Sequence, residues 1–382
     1  MRRWWLLPAL LGALVLLAAC GSTTAAGAGT ARGPAAGSPG AGASPGRVVS
    51  ARAAAVERLV RSAHLGTPPA NCRVPPAVRA RLAGGTKPTA PAAPGAAGAG
   101  TTSTTTRASG DHGAPVAGAP LPRIVAYGTD HGEALLGQLI DFVSPGASRP
   151  AIVLIHGGSW MHGSPVEMTP SARVLAAAGF VTLNIAYRLA TPGHPGFPGE
   201  LGDVEQAVRY LRSHAAALRI DPAAIGALGS SAGANLALLL ATATRGSCLT
   251  GDRVAAVVAW SGPVELSEQG HEARDLCRAS AAGCAPLPQD VRTYIGCSIA
   301  ACPQRWRDAS VPAHVSADDP PALLFNSRDE LILVGQARAA AAAFAAHHVP
   351  HELVLLPGDR HASAYASTAL PATVAFFRHW LG

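Results

Sequence analysis

The sequence predicts an α/β fold, a mostly parallel sheet with helices on both faces and a cap insertion. Three observations predict it. From Leu121 onward, short apolar runs, several rich in β-branched residues, alternate with stretches that read as helices. Upstream of Leu121 the chain is dominated by Gly, Ala, Ser, Thr and Pro, which confines the folded part to about 260 residues, an ordinary size for the class. With 382 residues and 48% hydrophobic composition, the chain can also bury a substantial core.

The first residues, MRRWWLLPALLGALVLLAAC, combine two arginines, an apolar run from Trp4 to Ala19 and small residues before Cys20. That is the layout of an export signal over residues 1–19, and it is shorter than a comfortable membrane span. Its ending, LAAC-G at Leu17 to Gly21, resembles the lipobox of bacterial lipoproteins. The resemblance implies a lipid on Cys20 and a mature chain held at the outer face of the cytoplasmic membrane without a spanning helix.

Residues 21–50 and 83–120 cannot bury enough apolar surface to offset their ordering entropy. Residues 20–120 therefore read as a tether, with a possible short helix at 51–65 in AAAVERLVRSAHL. Charge sharpens the division. Between Arg47 and Lys87 eight Lys or Arg face Glu57 alone, whereas residues 121–382 carry 18 Arg against 21 Asp or Glu, a net −3. The chain's formal +7 thus belongs to the signal and tether. A basic segment beside a membrane favours anionic lipid or wall polymer, or is solvated linker charge. An exported chain without a stacking or groove-reading motif is not expected to bind nucleic acid.

Besides Cys20, the chain has Cys72, Cys248, Cys277, Cys284, Cys297 and Cys302. An even number in an exported chain suggests up to three disulfides, and Cys297 with Cys302 in GCSIAAC is the expected local bridge. None of these cysteines forms a CxxC pair and no histidine lies at ligand spacing, so no metal site is expected.

The expected strands are, in order, RIVAYG, GQLIDFV, AIVLIHG, FVTLNIA, IGALGS, VAAVVAW, PALLFNS and HELVLLPG. The expected helices are SARVLAAAG, DVEQAVRYLRSHAAAL, SAGANLALLLATAT, QARAAAAAFAAHH and TVAFFRHWL.

The pattern G-x-S-x-G, which mounts a nucleophilic serine on a strand-to-helix turn, occurs twice in this chain of 42 glycines. GASPG at Gly42 to Gly46 lies in the tether, with no strand before it and no helix after it. Its Pro45 also lacks the N–H that the residue after the nucleophile must offer to an oxyanion. GSSAG at Gly229 to Gly233 has both a strand and a helix, and Ala232 has an N–H. The exposed serine by pattern is Ser231. Upstream, HGGSW at His156 to Trp160 follows an apolar strand, and its glycines let the backbone turn its N–H groups toward a substrate oxygen.

HGGSW, YRLATPGHPGFP at Tyr187 to Pro198 and GSSAG, in that order, resemble the bacterial α/β-hydrolases of the esterase and lipase type that carry an HGG motif, related to the hormone-sensitive-lipase and feruloyl-esterase-like groups. The resemblance spans Leu121 to Leu381. It implies a serine carboxylic-ester hydrolase without metal or organic cofactor, acting on a small-molecule or polymer-borne ester. It also implies an oxyanion hole from Gly157, Gly158 and Ala232. A base and an acid must follow the serine in the order Ser, Asp or Glu, His. Asp329 stands at the family's acid position just beyond PALLFNS, with Glu330 as the fallback, and His361 lies in GDRHAS after the last strand. The expected triad is Ser231, Asp329 and His361.

The chain departs from the family in carrying Ala186 before YRLA, and YRLAT in place of YRLAP. Arg188 and Asp203 are expected to pair beneath the site. The insertion at 263–318, with four cysteines, is expected to cap the carboxyl ends of the strands, with Trp160 near the acyl or alcohol pocket. Two other readings fit the same motifs: an amide hydrolase such as an arylformamidase or peptidase, and a non-catalytic envelope binding protein on the same fold.

Overall fold

The computed structural model describes residues 121–142, 148–244, 251–267 and 276–382. The expected signal, Cys20, the tether with its helix at 51–65, Cys72 and Cys248 lie outside them.

Eight strands form one sheet: β1 Arg123–Asp130, β2 Glu133–Ile140, β3 Arg149–Ile155, β4 Val181–Ile185, β5 Ile220–Ser230, β6 Ala256–Trp260, β7 Ala322–Ser327 and β8 His351–Leu356. Their order across the sheet is β1-β2-β4-β3-β5-β6-β7-β8. The β1–β2 and β2–β4 pairs are antiparallel, and every later pair is parallel. Strand β2 begins four residues before GQLIDFV. His131 and Gly132 both have positive φ, so DHGE closes a tight hairpin and draws Glu133 into register with Asp130.

Seven helices matter for the site: α1 Thr169–Ala177, α2 Gly199–Ser213, α3 Ala232–Thr242, α4 Leu287–Ile295, α5 Pro303–Asp308, α6 Val334–Ala346 and α7 Ala366–Leu381. Helix α7 starts earlier than TVAFFRHWL because it accommodates Pro371 in its interior, at the cost of one backbone hydrogen bond.

Strand side chains alternate between two cores. Ala151, Val153 and Ile155 of β3 join Ile225 and Ala227 of β5 in a core with α2, α3 and α6. Ile152, Leu154 and Leu228 face the opposite core with α1 and α7. Burial on both faces explains why the central strands read as unbroken apolar runs. It also explains Gly226: a Cβ there would lie 2.8 Å from the Phe377 ring, so the glycine lets α7 sit flush on β5. The first core continues into the segment between β6 and β7, through Leu287, Val291 and Tyr294 of α4 and Trp306 of α5. Among the described residues no helix is long and apolar enough to cross a membrane.

Candidate active site

Strand β5 ends at Ser230, and Ser231 carries the chain into α3 with φ 54° and ψ −120°. A side chain held at positive φ is strained, and the surroundings must impose it. Here they do. The Ser231 N–H donates to the Trp260 carbonyl at 2.8 Å, pinning the turn to the end of β6. A Cβ on Gly229 would lie 2.1 Å from the Gly233 carbonyl oxygen, and one on Gly233 would lie 2.3 Å from the carbonyl oxygens of Ile155 and His156. No side chain fits at either place, so the two glycines are what allow β5, α3 and the end of β3 to meet. Ala232 opens α3, where the first N–H groups have no intrahelical carbonyl to bond.

The turn after β3 lies directly against this elbow. A Cβ on Gly157 would come within 3.0 Å of the Ser231 Cβ and the Ser230 carbonyl oxygen. Gly158 has φ +114°, Ser159 and Trp160 also have positive φ, and the Gly158 carbonyl accepts the N–H groups of Met161 and His162 at 3.0 and 2.9 Å. His156 braces the turn from below. Its ring stacks on Tyr187 at 4.4 Å, its carbonyl accepts the Tyr187 hydroxyl at 3.0 Å, and its Nδ1 lies 2.7 Å from the Gly157 carbonyl. A carbonyl only accepts, so Nδ1 carries the hydrogen. Burial pushes the His156 pKa below its ordinary value, with the Gly157 hydrogen bond opposing.

His361 follows β8 and turns back over the elbow, with Nε2 2.9 Å from Ser231 Oγ. Its Nδ1 is hydrogen-bonded to Glu330 Oε2. Glu330 is fully buried, and its other oxygen accepts the Ser261 hydroxyl and the Ser327 N–H, each at 2.7 Å. Ser231, His361 and Glu330 thus form one continuous hydrogen-bonded chain across the ends of β5, β7 and β8.

A family model described as BD-FAE matches residues 142–344, more than half of the chain. The chain belongs to the BD-FAE family. Among curated proteins of Mycobacterium tuberculosis, it is 37% identical to Carboxylesterase NlhH over 97 residues, 25% of this chain and 30% of that one. It is 29% identical to Esterase LipC over 237 residues, covering 57% and 53% of the two chains. It therefore spans from under a third to about half of the length of these relatives. The apo form of Thermogutta terrifontis esterase 2 shares its fold at TM-score 0.54 and 22% identity, over 67% of this chain and 91% of that one. The same esterase phosphonylated by sarin matches at TM-score 0.54 and 23% identity, over 65% and 87% of the two chains.

This BD-FAE chain corrects the expected acid. Asp329 does not reach His361: its side chain is 65% exposed and pairs with Arg278 at 3.2 Å. The ladder explains the displacement. The Arg328 and Asp329 N–H groups still bond to the β8 side, at Leu356 and Gly358, so the chain leaves the sheet one residue later than the motif suggests. Glu330 is then the first side chain to turn inward, held by the Ser327 N–H three residues back.

Trp160 is corrected as well. It is fully buried and stacks on Tyr294 of α4, ring centroids 4.5 Å apart, so it anchors the insertion instead of facing a pocket. The insertion lies at the carboxyl ends of β3 and β4: Phe197 N–H donates to the Tyr294 carbonyl at 2.9 Å, and Asn235 of α3 donates to the Ala309 carbonyl at 3.2 Å. Disulfides join Cys297 to Cys302 and Cys277 to Cys284. Beside the second, Arg278 N–H donates to the Leu331 carbonyl and Leu333 N–H to the Leu276 carbonyl, stitching the insertion to the acid-bearing loop. Arg188 grips Asp203 with Nε and Nη2 at 2.9 and 2.6 Å and Asp130 with Nη1 at 2.8 Å, tying α2 to the β1–β2 hairpin.

Behind Trp160 lies Glu200, fully buried, with neither carboxyl oxygen hydrogen-bonded. Burial holds its pKa well above the ordinary range. The Ala190 N–H, whose own bond goes to the Trp160 carbonyl, opposes this without satisfying the carboxyl. Among the described residues, no group of three or more His, Cys, Asp or Glu could hold a metal ion.

Sequence reasoning passed over Ser261 and Tyr365, both buried and both bonded to one another behind Glu330. No motif marks them, because each is set by the strand-end geometry around it.

Proposed function

We propose that this protein is a serine carboxylic-ester hydrolase with Ser231 as nucleophile, His361 as general base and then acid, and Glu330 as the group that orients the imidazole. What carries the reading is the unbroken chain from Ser231 Oγ through His361 to Glu330. A buried carboxylate accepts the Nδ1 hydrogen, which leaves the Nε2 lone pair facing the serine. Membership of the BD-FAE family, and similarity of this chain to a curated carboxylesterase and a curated esterase, support the same reading.

In the first half-reaction Ser231 Oγ attacks the ester carbonyl carbon while its proton passes to His361 Nε2. The tetrahedral oxyanion lies against the turns that carry the Gly157, Gly158 and Ala232 N–H groups. One such donor lowers a barrier by about 3 to 4 kcal/mol. Collapse breaks the bond to the alcohol, which leaves with the proton from Nε2. Water then attacks the acyl group with the same imidazole as base, and the acid departs from a restored serine. No step requires a metal or organic cofactor.

The test is incubation of the purified protein with a fluorophosphonate probe and with p-nitrophenyl esters, alongside Ser231→Ala. Labelling and turnover that vanish in Ser231→Ala are expected. An inert wild type would point to a binding protein, and labelling that survives in Ser231→Ala would mean a different nucleophile. Turnover of p-nitroanilides at rates matching the esters would redirect the reading to an amide hydrolase.

The reading extends to placement: the chain is exported and anchored by a lipid on Cys20 at the outer face of the cytoplasmic membrane. The order of arginines, apolar run and LAAC-G supports this. Cys20→Ala is expected to release the protein from membranes or stall its processing. Unchanged membrane retention would end that part of the proposal.

A further inference from the structure

Ser261 follows the last residue of β6, is fully buried, and holds φ 55° although it is not glycine. Backbone strain of this kind persists only where the surroundings impose it, and it concentrates at functional sites. Its N–H donates to the Phe325 carbonyl at 2.8 Å, which fixes the residue between β6 and β7. Its hydroxyl oxygen then meets three partners: Glu330 Oε1 at 2.7 Å, the Tyr365 hydroxyl at 2.7 Å and the Ala362 N–H at 3.0 Å.

A serine hydroxyl has one hydrogen and two lone pairs, so three bonds saturate it and fix their direction. The Ala362 N–H can only donate. The carboxylate accepts, so the Ser261 hydrogen goes to Glu330, and the remaining lone pair takes the Tyr365 hydrogen. Tyr365 has a competing acceptor in the Phe325 carbonyl, but at 3.2 Å, and that carbonyl already holds the Ser261 N–H. Two donor arms therefore converge on the Glu330 carboxylate. Tyr365 donates to Ser261, Ser261 to Glu330, His361 to the other Glu330 oxygen, and Ser231 to His361.

We propose that Ser261 is a positioning residue of the active site, one oxygen that aligns both ends of the His361–Glu330 pair. It holds the carboxylate through Oε1, and it holds the histidine turn through Ala362, the residue next to His361 and itself at φ 47°. Tyr365 fills the remaining lone pair of the same oxygen and so restrains its rotation. The inference rests on the hydrolase reading above, because it concerns how that reading's acid and base are aligned. Ser261 touches no substrate, so its loss acts on the rate of the chemical steps and leaves substrate binding alone.

The test compares Ser261→Ala, Ser261→Gly and Tyr365→Phe with wild type and Ser231→Ala. The readouts are kcat and KM for p-nitrophenyl butyrate, the second-order rate of fluorophosphonate labelling, and the melting temperature. Glycine tolerates positive φ, so Ser261→Gly removes the hydroxyl while relieving the backbone. Both Ser261 variants should lose about tenfold to a hundredfold in kcat, the range for one hydrogen bond to a charged group. KM should stay within about twofold, and labelling should slow in proportion to kcat. Tyr365→Phe should fall between them and wild type. A purely structural role predicts a lower melting temperature with kcat kept, and that result overturns the proposal. So does a full-rate Tyr365→Phe if the two Ser261 variants fail to fold. An inert wild type sinks the hydrolase reading and this one with it. An active wild type, a dead Ser231→Ala and full-rate Ser261 variants sink this proposal alone.

Discussion

Replacing Glu330 by Gln keeps the shape and length of the side chain and changes one oxygen into an amide NH2. The carbonyl half must remain where Oε1 now sits, because the Ser327 N–H at 2.7 Å can only donate and needs an acceptor. The NH2 then faces His361 Nδ1, and two donors cannot share a hydrogen bond. The imidazole responds by moving its hydrogen to Nε2, which points it at Ser231 Oγ and removes the lone pair that takes the serine proton. Loss of the correct tautomer costs about 10³ to 10⁴ in kcat, or about 4 to 5.5 kcal/mol of barrier. Asp329→Asn is the matched control. Its carboxylate is mostly exposed and pairs with Arg278 at 3.2 Å, an interaction worth about 0 to 1 kcal/mol and remote from the imidazole. Steady-state hydrolysis of p-nitrophenyl butyrate, with melting temperatures beside it, separates the two. If Asp329→Asn lost three decades of kcat while Glu330→Gln kept its rate, the assignment of the acid would be refuted.

Three further outcomes follow from the same geometry. Glu200 has a raised pKa when folded, so the native state binds its proton more tightly than the unfolded chain, and stability is lost as pH rises from about 4.5 through that raised value. Glu200→Gln should therefore melt like wild type near pH 4.5 and above it at pH 8, and identical melting curves at both pH values would discredit the burial argument. Gly233→Ala would place a methyl 2.3 Å from two backbone oxygens, so it should cost about 3 kcal/mol or roughly 6 to 12 °C in melting temperature; a melt within a degree of wild type would contradict the packing of α3 on β3. Exchanging Cys277 and Cys284 together for Ser opens a short loop worth about 2.5 kcal/mol of chain entropy, and it loosens the stitching at Leu331. Both melting temperature and kcat should fall, and retention of both would deny the bridge its bracing role.

The parallel core was legible because its strands are covered on both faces and so announce themselves as apolar runs. GSSAG and HGGSW were legible for a different reason: backbone turns this tight admit few residues, and the sequence spells those residues out. The acid was misread at Asp329 because motif spacing counts residues, while the fold counts ladder bonds. Two more rungs on the β8 side, at Arg328 and Asp329, carry the chain past the expected position before it turns in. Trp160 was misread because a tryptophan next to a glycine turn looks like a pocket wall until its partner is known. That partner, Tyr294, is 134 positions away on the buried face of the short helix Leu287–Ile295, whose apolar spacing does not say which residue it will meet. Ser261 and Tyr365 gave no signal at all, since a buried serine after a strand is common and only its three neighbours make it particular.

Ser231, Glu330 and His361 stand at the ends of β5, β7 and β8, and the registers between them are fixed: Ser230 pairs with Trp260, Trp260 with Phe325 and Ser327 with Leu356. Adjacent strands lie about 4.8 Å apart, so the sheet acts as a ruler on which the reacting groups are marked off. The segment between β6 and β7 bears none of the three groups, so it adds to the sheet without setting a mark. It is nevertheless sewn onto that ruler in three places: Leu276 and Arg278 meet Leu331 and Leu333, Tyr294 stacks on Trp160 beside the glycine turn, and the Ala309 carbonyl accepts Asn235 of α3.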